Sequence, residues 1–388
     1  MRLVFVNHCH PRTPHVCATR VARMAEACAR AGHQVVLLTE TLGGHPARLS
    51  PGELPTALDR HDWTQPFLLD CPPQDGALGA ALRQGWGPRL LRRPLLAAIY
   101  ALRGGLFTDW RHGASLYLPL LVRHFHPQAC WATFGNTDAW IIAQRLARLA
   151  GGKWIADLKD PWSVFIPALL RRVLTWRFTD AAAFTALSEQ HGAEVKTWFG
   201  RPATTVYSGI DEGFLPPPPP PPSPADGIRL LLVGGLYAQE HLDLLAEGLR
   251  RWGHRPTLVY AGSESAKARA AFAGLVLETP GYVDLPHLRA LAAGCHATLY
   301  VRNSRALYQH KLVELLALDR PTICLPQEAP EALAIASRLG ADFRSCADAA
   351  QLSRALTEMV GRITPIDRTE LARYTWDAQA QQLLEVLV

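Results

Sequence analysis

The seven consecutive prolines from Pro216 to Pro222 constrain this chain more than any other stretch. Proline fixes φ at roughly −65° and has no amide hydrogen, so such a run can neither continue a helix nor sit inside a sheet. It favours an extended polyproline II spacer. A chain of 388 residues is also long for one domain. The segment Leu215–Gly227 therefore reads as a linker between a first half, 1–214, and a second, 228–365, with a closing segment 366–388.

Both halves have the same texture. In the first, "RLVFVN", "QVVLLT", "ACWATF", "KWIADL", "AAAFTAL" and "ATTVYS" alternate with helical patterns at Ala18–Ala31, Thr137–Ala150, Pro167–Trp176 and Glu189–Trp198. In the second, "IRLLLVGG", "TLVYAG", "VLETPG", "ATLYV" and "PTICLP" alternate with Leu242–Trp252 and "HKLVELLAL". Short unbroken apolar runs separated by helices mark buried parallel strands of a doubly wound sheet. Two such domains are expected, and ligands bind beyond the carboxyl ends of such strands. The stretch Thr56–Phe107 is less regular and is not placed. The closing "RYTWDAQAQQLLEVLV" reads as a helix with one apolar face.

Composition narrows the function. Hydrophobic residues make up 48% of the chain and charged residues 19%, enough apolar material for sizeable cores. The net charge of +6 fits anionic small molecules or an anionic membrane surface, and no nucleic-acid-binding signature accompanies it. The eight cysteines have no CxxC pair, which suggests reduced thiols in a cytoplasmic protein. No signal-peptide pattern opens the sequence and no apolar run approaches ~20 residues.

Several stretches, in order, resemble family 4 glycosyltransferases of the GT-B type: "RAGHQVVLLT", "WIADLKDPWS", "ALSEQ", "VYSGID", "HKLVELLALDRPTICLP" and the terminal "RYTWDAQAQQL". The resemblance spans nearly the whole chain. It implies an α/β architecture of two Rossmann-like doubly wound domains facing a cleft. The acceptor would lie on the first domain and a nucleotide-sugar donor on the second. It further implies transfer of a sugar from a nucleoside diphosphate, usually with retention, no cofactor beyond that co-substrate, and a last helix crossing back to the first domain.

The residues fit this picture unevenly. Lys311 and Glu314 are three apart and share a helix face. A lysine at a helix start adds charge for a diphosphate. A glutamate among leucines is costly unless a partner such as a ribose diol satisfies it; the matching family glutamate holds the donor ribose. An ordinary surface Lys–Glu pair is the other reading. Gly234 and Gly235 end a strand and would let backbone approach phosphate, or simply make a turn. The family has an arginine and a lysine after that strand, where this chain has Leu236, Tyr237, Ala238, Gln239 and Glu240. Arg302, Arg305 and Lys311 are the expected substitutes. A further family glutamate is replaced by Ala306.

On the first domain, Asp157 ends a strand and is a candidate catalytic carboxylate or a purely structural one. Asp160, Pro161 and Trp162 read as capping, turning and core. Gly135, Asn136 and Thr137 form a strand-to-helix turn that could touch the acceptor. The stretch "VNHCHPRTPHVCATR" crowds His8, Cys9, His10, His15 and Cys17 at the end of the first strand. In an extended chain His8 and His10 point one way and Cys9 the other. Zinc sites usually space their ligands more widely, so no metal is expected. His10 could shuttle a proton; Arg12 and Thr13 could hold an acceptor. His112 is a second histidine candidate, by rough position only. The helical stretches Trp86–Phe107 and Phe165–Phe178 mix arginines with leucines and aromatics; they are packed helices or an anionic-membrane surface.

The expected activity is a metal-independent, cytoplasmic glycosyltransferase of hexosyl type, alone or peripheral on the inner membrane face, using a glycan, lipid-linked or small-molecule acceptor and no nucleic acid. A sugar-nucleotide epimerase, with Asp157 and Glu314 as its carboxylate pair, and a non-catalytic binding homologue are the rivals.

Overall fold

The computed structural model describes residues 1–43, 45–74, 78–83, 85–221, 223–303, 306–309 and 311–388. The chain forms two compact units, Met1–Gly209 with Trp376–Val388, and Ile210–Thr375.

Unit 1 holds seven parallel strands: β1 Arg2–Val6, β2 Gln34–Glu40, β3 Phe67–Cys71, β4 Ala129–Thr133, β5 Lys153–Leu158, β6 Ala183–Ala186 and β7 Thr204–Thr205, in the order 3-2-1-4-5-6-7. Val4 sits opposite Val36 on one side and Cys130 on the other. The period of two sorts each strand between two cores. Val4, Val6, Val36, Leu38 and Ala132 face one. Leu3, Phe5, Val35, Leu37 and Trp131 face the other, which the helices Val16–Arg30 and Trp376–Leu387 cover through Val21, Met24, Leu383 and Leu387. Gln379 accepts the Tyr207 amide at 2.6 Å, and Trp376 lies so close to Gly209 that a side chain there would collide with its backbone. The first core contains an aromatic cluster: Trp140 stacks on Trp162 with ring centres 5.5 Å apart, and Phe134, Phe178 and Phe199 pack around them.

The stretch left unplaced from sequence contains the helix Leu54–Arg60, β3, and the helices Leu78–Arg83 and Arg89–Arg103, the last with Pro94 inside it. Leu90, Leu91, Leu95 and Leu102 on that helix are exposed, so its periodicity does not point into the core.

Unit 2 holds six parallel strands, β8 Arg229–Val233, β9 Thr257–Ala261, β10 Val276–Gly281, β11 Ala297–Val301, β12 Thr322–Leu325 and β13 Phe343–Ser345, ordered 10-9-8-11-12-13. This is the Rossmann order, with the switch point between β8 and β11. Leu230, Leu232, Leu258, Tyr260, Leu299 and Ile323 share one core with the helices Gln239–Arg251 and Ala349–Met359. The described prolines run along this unit. Polyproline carbonyls have no intrasegment donors, and two arginines supply them: Arg289 donates to the carbonyls of Gly213 and of Pro216, the latter at 3.0 Å, and Arg320 to that of Pro219 at 2.5 Å. The run is therefore a strapped ribbon along this unit. No helix among the described residues is long and apolar enough to cross a membrane.

Candidate functional site

The chemistry in unit 2 gathers at the switch point. β8 ends at Val233, and the chain turns at Gly234 with φ +92°, a conformation that favours glycine. Lys311 fills the space a side chain at Gly234 would need. Its ammonium donates to the Val233 carbonyl at 2.7 Å and lies 5.3 Å from the centre of the Tyr300 ring. Three side chains from the β9 side shape the same turn. The Tyr260 hydroxyl donates to the Gly234 carbonyl at 3.0 Å; Glu264 accepts the Leu236 amide at 2.6 Å; Lys267 donates to the carbonyls of Leu236 and, at 2.8 Å, Tyr237. Two lysines thus serve a turn that lacks the expected Arg/Lys pair. Lys267 escaped the sequence reading. Its signal is indirect: β8 and β9 are adjacent, so the turns at their carboxyl ends meet.

Lys311 precedes a helix of only five residues, Leu312–Leu316, shorter than the apolar pattern suggested. Burial pushes its ammonium down to about 8. Burial, then the Asp211 carboxylate, raises Glu314 to about 7, which Lys311 partly offsets. Both groups are held near the point where they change charge. Arg302 is engaged elsewhere: it pairs with Glu328 at 2.9 Å and donates to the Gln327 carbonyl at 2.8 Å. Arg305 lies outside the described residues. Gly235 lies under the Tyr237 ring.

In unit 1 the candidate catalytic groups are unequal. Asp157 is fully buried; it pairs with Arg20 at 3.1 Å and accepts from Thr133 at 3.1 Å and Thr185 at 2.8 Å. Arg20, itself buried, also donates to the Val206 carbonyl at 2.9 Å and lies over Trp131. Its position, three after Cys17 and four before Met24, places it on the buried helix face, the one sequence sign of this role. Asn136 caps the helix Thr137–Ala150 by accepting the Ala139 amide at 3.1 Å, and Thr137 donates to the Tyr100 hydroxyl at 3.1 Å. His112 is exposed on the helix Thr108–Ser115, Arg12 is exposed and Thr13 partly buried.

The loop after β1 bends back on itself. His10 is buried, its Nδ1 accepting the Arg12 amide at 3.1 Å, and burial pulls its imidazole below the usual range. Asn7 fastens the bend by donating to the carbonyls of Cys9 at 3.3 Å and Cys17 at 3.2 Å. His15 caps the helix Val16–Arg30, accepting the Cys17 amide at 3.1 Å. Cys9, His15 and Cys17 thereby come together, while His10 points elsewhere. Lys159, another residue the sequence reading passed over, is buried beside this loop and pairs with Asp160 at 3.1 Å.

No protein-family model matches the sequence, and no curated protein matches it. Solved structures do resemble it. Anabaena Alr3699/HepE, in complex with UDP and glucose, matches with TM-score 0.63 at 14% identity over 100% of this chain and 99% of that one. The lipopolysaccharide outer core galactosyltransferase WaaB, in its apo form, matches at 0.65 and 12% over 100% and 99%. The UDP-GlcNAc 2-epimerase of Methanocaldococcus jannaschii matches at 0.54 and 10% over 100% and 99%. Likeness at such identities speaks for architecture, and with two all-parallel sheets of Rossmann order it establishes that this chain has the GT-B fold.

Proposed function

We propose that the protein is a glycosyltransferase taking a hexose from a nucleoside diphosphate donor, of the UDP type found with HepE. The observation that carries this is the Gly234 turn with Lys311 seated in it and Glu314 three residues on. The turn lets backbone approach a diphosphate, Lys311 and Lys267 answer its charge, and Glu314 accepts from the ribose hydroxyls. With lysines in that role no metal is needed at the diphosphate. Catalysis is positioning plus stabilisation of the leaving diphosphate, with retention as in family 4 enzymes. Unit 1 supplies the acceptor side through its β1 loop, with His10, Arg12, Thr13 and the Asn136–Thr137 turn. Asp157, satisfied by Arg20, Thr133 and Thr185, serves the fold of this unit and does not touch substrate in this reading.

The acceptor we favour is a glycan or lipid-linked one. Supporting it, Leu90 is 90% exposed, Leu102 83%, Leu169 93% and Trp176 79%, on segments that carry arginines throughout. Such faces suit an anionic bilayer surface. The test is incubation with a panel of radiolabelled nucleotide sugars. Transfer or donor hydrolysis supports the reading. An epimerised sugar nucleotide would place the protein with the epimerases instead, and an inert panel with bound nucleotide would make it a binding homologue.

A further inference from the structure

We propose that Cys9, His15 and Cys17 form a binding site for a single thiolate-seeking divalent ion, zinc by preference. Their ligand atoms lie within 4.8 Å of one another, and Cys9 Sγ is 3.9 Å from His15 Nδ1. Zinc bonds sulfur at ~2.3 Å and imidazole at ~2.0–2.1 Å, so a tetrahedral centre separates such ligands by roughly 3.5–3.8 Å. The set is thus close to closed before any ion arrives. Two sulfurs and one nitrogen form a soft donor set that selects zinc over magnesium or calcium. The fourth position falls to His8 Nε2, 3.2 Å from Cys9 Sγ, or to a small solvent ligand. His8 packs against Phe107 with ring centres 5.1 Å apart, and its buried Nδ1 has no hydrogen-bond partner among the described residues.

The spacing argument against a metal assumed an extended chain. Here residues 11–15 turn through three backbone bonds, Thr13 to His10, His15 to Thr13 and Ala18 to His15, and return His15 and Cys17 to Cys9. Asn7 holds both cysteine carbonyls and so fixes the two ligand-bearing segments against each other. Charge is also accommodated. Lys159 is answered by Asp160 and Arg20 by Asp157, so two thiolates and a divalent ion add no net charge to the pocket. Cys9 is partly exposed and His15 exposed, giving the ion a way in. Binding at Nδ1 would take the lone pair that now accepts the Cys17 amide, exchanging a helix cap for a metal ligand. The ion would lock the β1 loop to the start of the helix Val16–Arg30.

The test uses the full chain, stripped of metal, kept reduced with a phosphine, and titrated with zinc against a chromogenic chelator, then with cobalt(II). One equivalent should bind, and cobalt should give the intense thiolate charge-transfer absorption of a tetrahedral site. Cys9→Ser and Cys17→Ser should abolish that absorption and His15→Ala should weaken zinc binding at least about tenfold. Cys9 is only partly buried, so Cys9→Ser folds even if Cys17→Ser does not, and its melting curve checks this. No charge-transfer band in reduced wild type, or binding unchanged in Cys9→Ser, overturns the proposal. The readout is metal alone, so it stands or falls independently of the donor reading.

Discussion

The turns after β1 and β8 occupy the same place in two sheets of the same order, yet they are built from opposite chemistry. The β8 turn is glycine-led, and its backbone is exposed to a lysine that fills the missing side chain's space. The β1 loop from Asn7 to His15 has no glycine and is packed with imidazoles and thiols. The charges beside the two turns differ too. Near the β1 loop Arg20 pairs with Asp157 and Lys159 with Asp160. At the β8 turn Lys311 and Glu314 have displaced proton affinities, as Glu40 has in unit 1. A buried pair that satisfies itself holds a fold together, whereas groups held away from their ordinary charge state are candidates for a ligand. The contrast lets Asp157 and Glu314 be assigned different tasks, although the sequence offered them together as a carboxylate pair.

The largest effect that would break this contrast is at Asp157. Asp157→Ala leaves the Arg20 guanidinium buried with one carbonyl partner, and removing one member of a buried pair costs about 3–5 kcal/mol. Chemical denaturation should show that loss; a variant as stable as wild type would return Asp157 to the pool of catalytic candidates. Next is Lys311. Lys311→Ala should weaken binding of UDP by about ten- to a hundred-fold, equivalent to ~1.5–3 kcal/mol for a charge-assisted contact. Uridine binding should change little, and calorimetric titration of both ligands separates the two. Equal UDP affinity in wild type and variant would remove the turn from the donor site.

The smallest effect sharpens the comparison through pH. The Glu314 carboxyl, raised from 4.5 to about 7, binds its proton more tightly in the folded than in the unfolded state. Its contribution to stability is therefore full below the unfolded value and is lost as pH rises through about 7. Glu314→Gln cannot lose a proton. It should melt near wild type at pH 4 and above it at pH 8, by ~2–4 °C for each kcal/mol relieved. A variant no more stable than wild type at pH 8 would mean the carboxylate is already satisfied in the free protein.

Much of the fold was legible because buried parallel strands read as short apolar runs bounded by turns, as in "RLVFVN" and "IRLLLVGG". The region from Thr56 to Phe107 was not, because its longest helix, Arg89–Arg103, exposes its leucines and contains a proline. At the site, Lys311 and Glu314 were visible by spacing. Lys267 was not, since it reaches the β8 turn from another strand's loop, and adjacency of strands is a property of topology. Arg20 was hidden by its type, an arginine on an apolar helix face. The proximity of Cys9 and Cys17 depends on a turn through residues 11–15; Pro11 stands at the second position of its His10–Thr13 part, a turn signal that does not reveal which side chains it brings together.

The aromatic cluster around Trp140 and Trp162 also decides what light reports about this molecule. Of the eleven tryptophans, Trp252 is the single one within Ile210–Thr375, and the other ten belong to unit 1. Intrinsic fluorescence is therefore almost wholly a signal from one unit, dominated by indoles that are dry and stacked in the folded state. Loosening of the Lys311 turn or melting of the sheet β8–β13 would pass with little change in emission. A tryptophan placed in unit 2, or a probe of backbone rather than of indole, is what would make Ile210–Thr375 visible.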